Sequence, residues 1–565
     1  MARAAALRDR PLAVGERLSS APAAVGMALI FAAAVLICAV TLLKGLNLND
    51  EGLMLQAAAR IADGEVPYSD FWWFYPPGQP YLLALLWEIF GPSLLAWRIV
   101  RLLVNGIAAV LVYRLARRHA SVPLSLLGSL AAVLAMVSPS GPHPYPVAVV
   151  LALGALLTWE RSPVAAGVLT GVCAAWRIEF AAYLGLGVLL ACLLGTESAR
   201  GRRAGVFTLS SLLAAAALYL PVVAQSGIGP SWELLIRYPL LDFSDYQTLP
   251  LPLVYEGSFG AGSLKELRES IAGAMHLYLP LMLLVGLSAS LLALALSLGR
   301  RGGWIAAGVF SIGMAHYLIT RPDAFHTAPL AVMLGVLGPW AVAGVRARVG
   351  VRAGPRVLRL VAPGAAAVAA LVLVYTVVDG IERREREISA PTVTVDVPGG
   401  DGVQELAAFR CTLLGAPVTE TCFTRSLEQT VAFVRSRVPP GDPIYVGTLR
   451  ADLVTSGAPM VYVLADRPNA TRYDIAAPGV VTSAPVQREI TRDLTEAGLP
   501  LVVRYVADIT AAPEPNRAGR STGVRILDQF YARNYRTVRR FGAYLVLERR
   551  GAPGTTAAQA QRPSS

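Results

Sequence analysis

Charge is what this sequence has least of. Charged residues fill 16% of its 565 positions, hydrophobic ones fill 55%, and the mean hydropathy is +0.52. Soluble domains carry nearer to about a quarter charged residues. The composition therefore excludes an ordinary soluble domain and describes a chain mostly embedded in a bilayer. Acid is the scarcer sign: 38 Asp and Glu against 50 Lys and Arg leave +12, carried mainly by Arg. The Arg clusters fall between apolar segments, which is the positive-inside pattern and not a nucleic-acid footprint. Cysteine is also sparse. There are five, with no CxxC pair, so no zinc site is indicated. No internal repeat is visible, and polar groups avoid the middle of the apolar segments; a secondary transporter would show the opposite. A cleavable signal peptide is not expected. Residues 1–20 are polar and basic, and the apolar run behind them is too long and lacks a small-residue cleavage site.

What is present is a series of apolar segments. Spans need about 17–25 such residues. They are expected at 22–44, 93–115, 121–138, 143–160, 163–176, 180–194, 204–224, 272–298, 303–320, 327–345 and 357–378. Placing every Arg cluster in the cytoplasm requires 163–194 to cross twice, as a short hairpin with Trp176-Arg177-Ile178-Glu179 facing outside. The expectation is a polytopic α-helical protein of about eleven spans in the plasma (inner) membrane. Its N-terminus lies inside and its C-terminal part outside. Residues 1–21 form a cytoplasmic tail, 22–379 the membrane domain, and 45–92 its first exoplasmic loop.

After about residue 380 no span-length run remains. Strands are expected at Pro443–Gly447, Met460–Leu464, Pro500–Val506 and Tyr544–Leu547, and helices at Leu427–Val438 and Val486–Ala497. This reads as an exoplasmic α/β domain over 380–550, followed by a disordered tail at 551–565. Cys38, Cys173 and Cys192 fall in spans. Cys411 and Cys422 would share the oxidising compartment and are a disulfide candidate.

The stretch Asn47–Phe90 organises the rest. It opens on Asp50-Glu51, continues as an amphipathic helix, then an aromatic loop through Phe71-Trp72-Trp73, a Pro76-Pro77-Gly78 turn and a second apolar helix from Tyr81. Its aromatics read as interfacial anchors. Asp50-Glu51-Gly52, Arg60-Ile61, Gly64, Pro67-Tyr68, Asp70-Phe71, Pro76-Pro77-Gly78, Tyr81-Leu82 and Phe90-Gly91 resemble the first exoplasmic loop of the GT-C glycosyltransferases. The similar branch includes the protein O-mannosyltransferases and the lipid A aminoarabinose transferases. The resemblance implies a polyprenyl-phosphate-linked sugar donor and inversion at the anomeric carbon. It also implies an acceptor that is a protein, lipid or polysaccharide, with a divalent metal cation in some relatives.

Ionised carboxylates at a membrane edge are costly unless paired or used. Asp50 and Glu51 are the catalytic candidates, with Asp50 as base toward an acceptor hydroxyl. The bland reading makes them a helix cap and a dipole complement. Asp70 is either a loop residue near the cavity or a turn cap. Arg177 and Glu179 are a phosphate contact and its partner, or a simple ion pair. Arg321, Asp323 and His326 form an unusual polar run between two spans, expected over the donor phosphate. His143 is a weaker candidate. Arg98 and Arg101 are headgroup anchors or donor contacts. The expected activity is transfer of a sugar from a polyprenyl-phosphate donor to an exoplasmic acceptor. The alternative is a non-catalytic transporter or flippase of a lipid-linked sugar, which needs no base at Asp50.

Overall fold

The computed structural model describes residues 21–136, 143–194, 199–252, 262–298, 302–349, 356–390 and 423–551. Four short pieces, 254–255, 392–393, 411–413 and 416–417, are also described. The expected tails and Cys422 lie outside the described residues, so the Cys411–Cys422 pairing does too.

Apolar composition makes helices here, because in hydrocarbon each backbone polar group must be satisfied within its own segment. The helices are α1 (Ala21–Ala39), α2 (Asp50–Ala62), α3 (Gly78–Phe90), α4 (Leu94–Ala116), α5 (Val122–Ala135), α6 (Tyr145–Thr158), α7 (Pro163–Ala174) and α8 (Ile178–Leu193). They continue with α9 (Arg200–Ser226), α10 (Leu264–Leu298), α11 (Gly302–Thr320), α12 (Ala324–Val349) and α13 (Arg356–Ile388). Six are long and apolar enough to cross a membrane, and five shorter apolar helices accompany them. Together they fall on all the segments expected from the sequence. The break in 163–194 is real: α7 ends at Ala174, and Arg177 opens α8 with extended backbone at φ −151°.

Small residues let the helices approach closely. A Cβ on Gly128 of α5 would lie 2.0 Å from the Gly335 carbonyl oxygen of α12, so only glycine fits that crossing. α12 is the most enclosed of the long helices, and α9 and much of α13 present apolar surface outward.

The C-terminal domain carries a four-stranded sheet of β1 (Tyr445–Thr448), β2 (Leu501–Tyr505), β3 (Tyr535–Phe541) and β4 (Tyr544–Arg549), in the order β1-β2-β4-β3. β1 and β2 run parallel, with Tyr445 opposite Val502; the other pairs are antiparallel. β2 is almost wholly buried, whereas the edge strand β3 exposes Arg536, Arg539 and Arg540. Charge along an edge discourages further pairing. Helices α14 (Phe423–Arg437), α16 (Ala484–Glu496) and α17 (Ile526–Asn534) accompany the sheet.

Met460–Leu464, expected as a strand, is instead helix α15 (Met460–Ala465). All six residues are buried, and a wholly buried run carries no periodicity to distinguish strand from helix. Its seat explains it. Met460 N–H donates to the Leu48 carbonyl at 3.2 Å, and a Cβ on Gly52 would stand 2.3 Å from Met460 N. Gly52 is thus a contact surface for the C-terminal domain. Arg60 clamps the same junction, pairing with Asp474 at 2.8 Å and Glu65 at 2.7 Å.

The aromatic loop is not interfacial. Phe71, Trp72, Trp73 and Phe74 are buried, and Trp72 N–H donates to the Arg472 carbonyl at 2.8 Å. They fill the joint between α2, the 233–243 segment and the C-terminal domain, where Trp72 meets Tyr238 edge-on at 5.0 Å. Each such ring contributes on the order of 1.5–3 kcal/mol by leaving water.

Candidate active site

Asn47 builds the start of α2. Its side-chain oxygen accepts from Asp50 N–H at 2.8 Å and from Asn49 N–H at 3.1 Å. The backbone is therefore capped without Asp50, whose carboxylate is left for other partners. It receives the side-chain amides of Asn47 at 3.2 Å and Asn49 at 3.1 Å, and His143 Nε2 stands 3.9 Å away. Burial, offset in part by those amides, raises its proton affinity above the ordinary carboxylate range.

Glu51 turns the other way. Both its oxygens are held by Arg98, Nε at 3.0 Å and Nη2 at 2.9 Å, and both side chains are 0% exposed against 34% for Asp50. Arg98 also donates to the carbonyls of Leu42 and Gly45 at 2.9 Å. This fork ties α4 to the end of α1 and the start of α2. Its signal in the sequence was an Arg facing an Asp-Glu pair across one loop.

Around Asp50 several elements converge. The Pro76-Pro77-Gly78 turn docks on the α7–α8 break, where Gly78 N–H donates to the Ala175 carbonyl at 2.6 Å and a Cβ would lie 2.5 Å from the same oxygen. This delivers Tyr75, whose phenol lies within electrostatic reach of Asp50, Arg177, Arg321 and Glu179. Arg177 pairs with Glu179 at 2.6 Å and lies over the rings of Tyr317 at 4.9 Å and Phe180 at 5.7 Å. Its Nε is buried without a partner.

The Arg321–His326 run is mostly self-bonded. Asp323 caps α12, accepting from Phe325 N–H at 2.9 Å and His326 N–H at 3.0 Å, and also takes His326 Nδ1 at 2.7 Å and Arg321 Nε at 3.0 Å. Burial opposes its ionisation, but His326 and Arg321 outweigh that and hold it down to about 2. Arg321 spends its guanidinium on a fork to Glu514 of the C-terminal domain, at 2.7 and 3.1 Å, and on the Gln247 carbonyl at 3.1 Å. His143 stacks on Phe325 with ring centres 3.8 Å apart. Burial, with His326 nearby, keeps its imidazole neutral well below its usual range.

Asp70 stands apart from this cluster. It is exposed and accepts Val66 N–H at 2.7 Å, closing its own turn. Sequence reasoning missed Tyr75, Tyr317 and Glu514, which carry no motif of their own and arrive through packing. Among the described residues no three His, Cys, Asp or Glu side chains converge on one point. These side chains alone do not fit a divalent cation.

No protein-family model matches this chain, and no curated protein matches it. Solved structures do. ArnT from Cupriavidus metallidurans in the apo state superposes with a TM-score of 0.51 at 15% identity, covering 93% of this chain and 98% of that one. The same protein bound to undecaprenyl phosphate gives 0.49 at 15% identity, covering 94% and 98%. The arabinofuranosyltransferase AftD from Mycobacteria gives 0.49 at 16% identity, covering 92% of this chain and 39% of that one. ArnT is a lipid A aminoarabinose transferase of the GT-C superfamily. From the first membrane helix to the C-terminal sheet, this chain has the GT-C fold.

Proposed function

We propose that this protein is a membrane glycosyltransferase that moves a sugar from a polyprenyl-phosphate donor to an acceptor on the outer face, with inversion. The observation that carries the reading is Asp50. Its carboxylate caps no helix, forms no fork with an arginine, and lies partly open beside His143 and within electrostatic reach of Tyr75, which also faces Arg177.

In this reading Asp50 takes the proton from the acceptor hydroxyl as that oxygen attacks the anomeric carbon. The carbon–oxygen bond to the donor phosphate breaks on the opposite face, and the departing phosphate keeps the electron pair. Arg177 offsets that charge through its free Nε, with the Tyr75 phenol beside it. Neutral His143 borders Asp50 without neutralising it. Arg321 positions the C-terminal domain over the site, because its donors are already committed to Glu514 and Asp323.

The test is Asp50→Asn in purified protein, with sugar transfer and polyprenyl-phosphate binding measured in parallel. Transfer is expected to fall about 10²–10⁴-fold with binding kept. Wild-type transfer would move the base elsewhere. The pH profile is a second readout. Because the Asp50 proton affinity is raised, wild-type transfer should rise with pH through an apparent value above 3.8. A flat acidic limb would count against Asp50.

A further inference from the structure

A strongly apolar surface continues beyond the spans. α9 ends at Ser226, and Gly227, at φ +86°, turns the chain into a short helix, Ile228–Trp232, that runs on as a π-helix, Glu233–Asp242. The inner face of this segment is packed. Leu234, Leu235 and Tyr238 are buried, and Tyr238 meets Trp72 at 5.0 Å and Phe74 at 5.6 Å. The residues that follow touch the C-terminal domain. The Tyr246 carbonyl accepts from Asn516 at 2.9 Å, the Gln247 carbonyl accepts from Arg321 at 3.1 Å, and Asp245 pairs with Arg517 at 2.8 Å. The segment therefore lies on the same side of the membrane domain as Asp50. Its outer face is apolar: Ile228 is 79% exposed, Trp232 61%, Leu240 70% and Leu241 68%. The charges beside that face cancel locally, because Arg237 pairs with Glu233 and, at 3.6 Å, with Asp242.

Water is a poor partner for a face built of two leucines, an isoleucine and a tryptophan. Continuity with the membrane-facing surface of α9 names the occupant. α9 turns almost all of its apolar surface outward, and that surface passes into the segment at every fourth residue, through Leu220, Ala224, Ile228 and Trp232, all exposed. Tryptophan suits the level where headgroups meet acyl chains, since its ring is apolar and its N–H is polar. We propose that residues 228–243 lie in the plane of the membrane, with Ile228, Trp232, Leu240 and Leu241 seated at the headgroup–acyl boundary of the leaflet on the Asp50 side. The aromatic joint and, through residues 245–247, the C-terminal domain then rest on lipid as well as on the spans. Because Arg237 is already paired, the attraction is apolar area and not headgroup charge. The proposal stands apart from the glycosyltransferase reading and holds whatever reaction the protein performs.

The test locates Trp232 in the full chain, held in phosphatidylcholine nanodiscs. Trp232→Phe removes one of nine tryptophans, so the emission lost from wild type reports that position. The side chain is exposed, so folding should survive its replacement. Lipid brominated near the top of its acyl chains should quench this difference signal about twofold more than lipid brominated near the chain ends, as a depth of about 5–10 Å requires. Aqueous iodide should leave most of the signal. Adding phosphatidylglycerol should change none of this. Leu240→Trp in the Trp232→Phe background should restore a signal with the same pattern. Quenching by iodide and not by brominated lipid puts the face in water and overturns the proposal. Protection from both puts protein over it, a second copy of this chain included, and overturns it too. Lipid quenching that needs phosphatidylglycerol makes charge the attraction and overturns the apolar seat.

Discussion

Asp50 and Glu51 are adjacent carboxylates at one helix start, and the packing around them separates their chemistry. Glu51 and Arg98 are both wholly buried, and each is the other's counter-charge on leaving water. Glu51→Gln leaves Arg98 charged and without a counter-ion. It should cost about 3–5 kcal/mol and lower the thermal midpoint in detergent, and with it the yield of folded protein. Unchanged melting of Glu51→Gln would show that the fork is dispensable. Asp50 has the opposite sign. Its raised proton affinity means that the fold favours the neutral form, so the contribution is present at low pH and lost as pH rises through the folded value. At neutral pH the charge costs stability. Asp50→Asn should therefore melt at or above the wild-type temperature while losing transfer, which a simple structural carboxylate would not do.

At the scale of elements, two glycines decide how the first loop sits. Gly52 gives up its side chain to α15, and Gly78 gives up its own to the α7–α8 break. In Gly78→Ala the new methyl group meets the Ala175 carbonyl and the Trp176 ring, so the turn must move and Tyr75 with it. The expected cost is about 1–3 kcal/mol, with a larger proportional loss of transfer than of stability. Parallel measurement of melting and turnover checks this; wild-type turnover would mean that the turn does not set Tyr75. The helical segments and the hairpin break were legible because long apolar runs and clustered Arg residues obey the bilayer. The role of Phe71-Trp72-Trp73 was not. Aromatics at a membrane edge and aromatics in a domain joint look alike until the partner surface is known. The α15 segment was misread for a related reason, since complete burial erases the alternation that separates strand from helix.

At the scale of the molecule, the C-terminal domain is fastened over the site by ion pairs from two directions, Arg60 to Asp474 and Arg321 to Glu514. The second latch is sensitive to acid. Burial pushes the Glu514 carboxyl up, but hydrogen bonds from Arg321 and Asn516 outweigh it and hold the group below its ordinary value of 4.5. A depressed carboxylate stabilises the fold above its unfolded value and loses that contribution as pH falls through the folded one. Asp323, held down to about 2, follows the same sign at lower pH. Protease sensitivity around 511–521 should therefore rise below about pH 4.5, and Glu514→Gln should show the same sensitivity already at neutral pH. Equal protection of the variant and wild type at neutral pH would remove this latch.

The sequence by itself determined the class of the molecule. Composition, span-length apolar runs and the Asp-Glu loop together specify a helical membrane protein with a C-terminal α/β domain, because bilayer thickness and backbone desolvation constrain local sequence directly. It also marked Asp50, since an acid at that edge demands a reason. Only the tertiary structure decided which charges are free. Arg98 closes on Glu51, Arg321 on Glu514, and Asp323 on the start of α12, while Asp50 and the Arg177 Nε remain available. Ion pairing joins residues tens or hundreds of positions apart, and that pairing is set by packing, which no local pattern encodes.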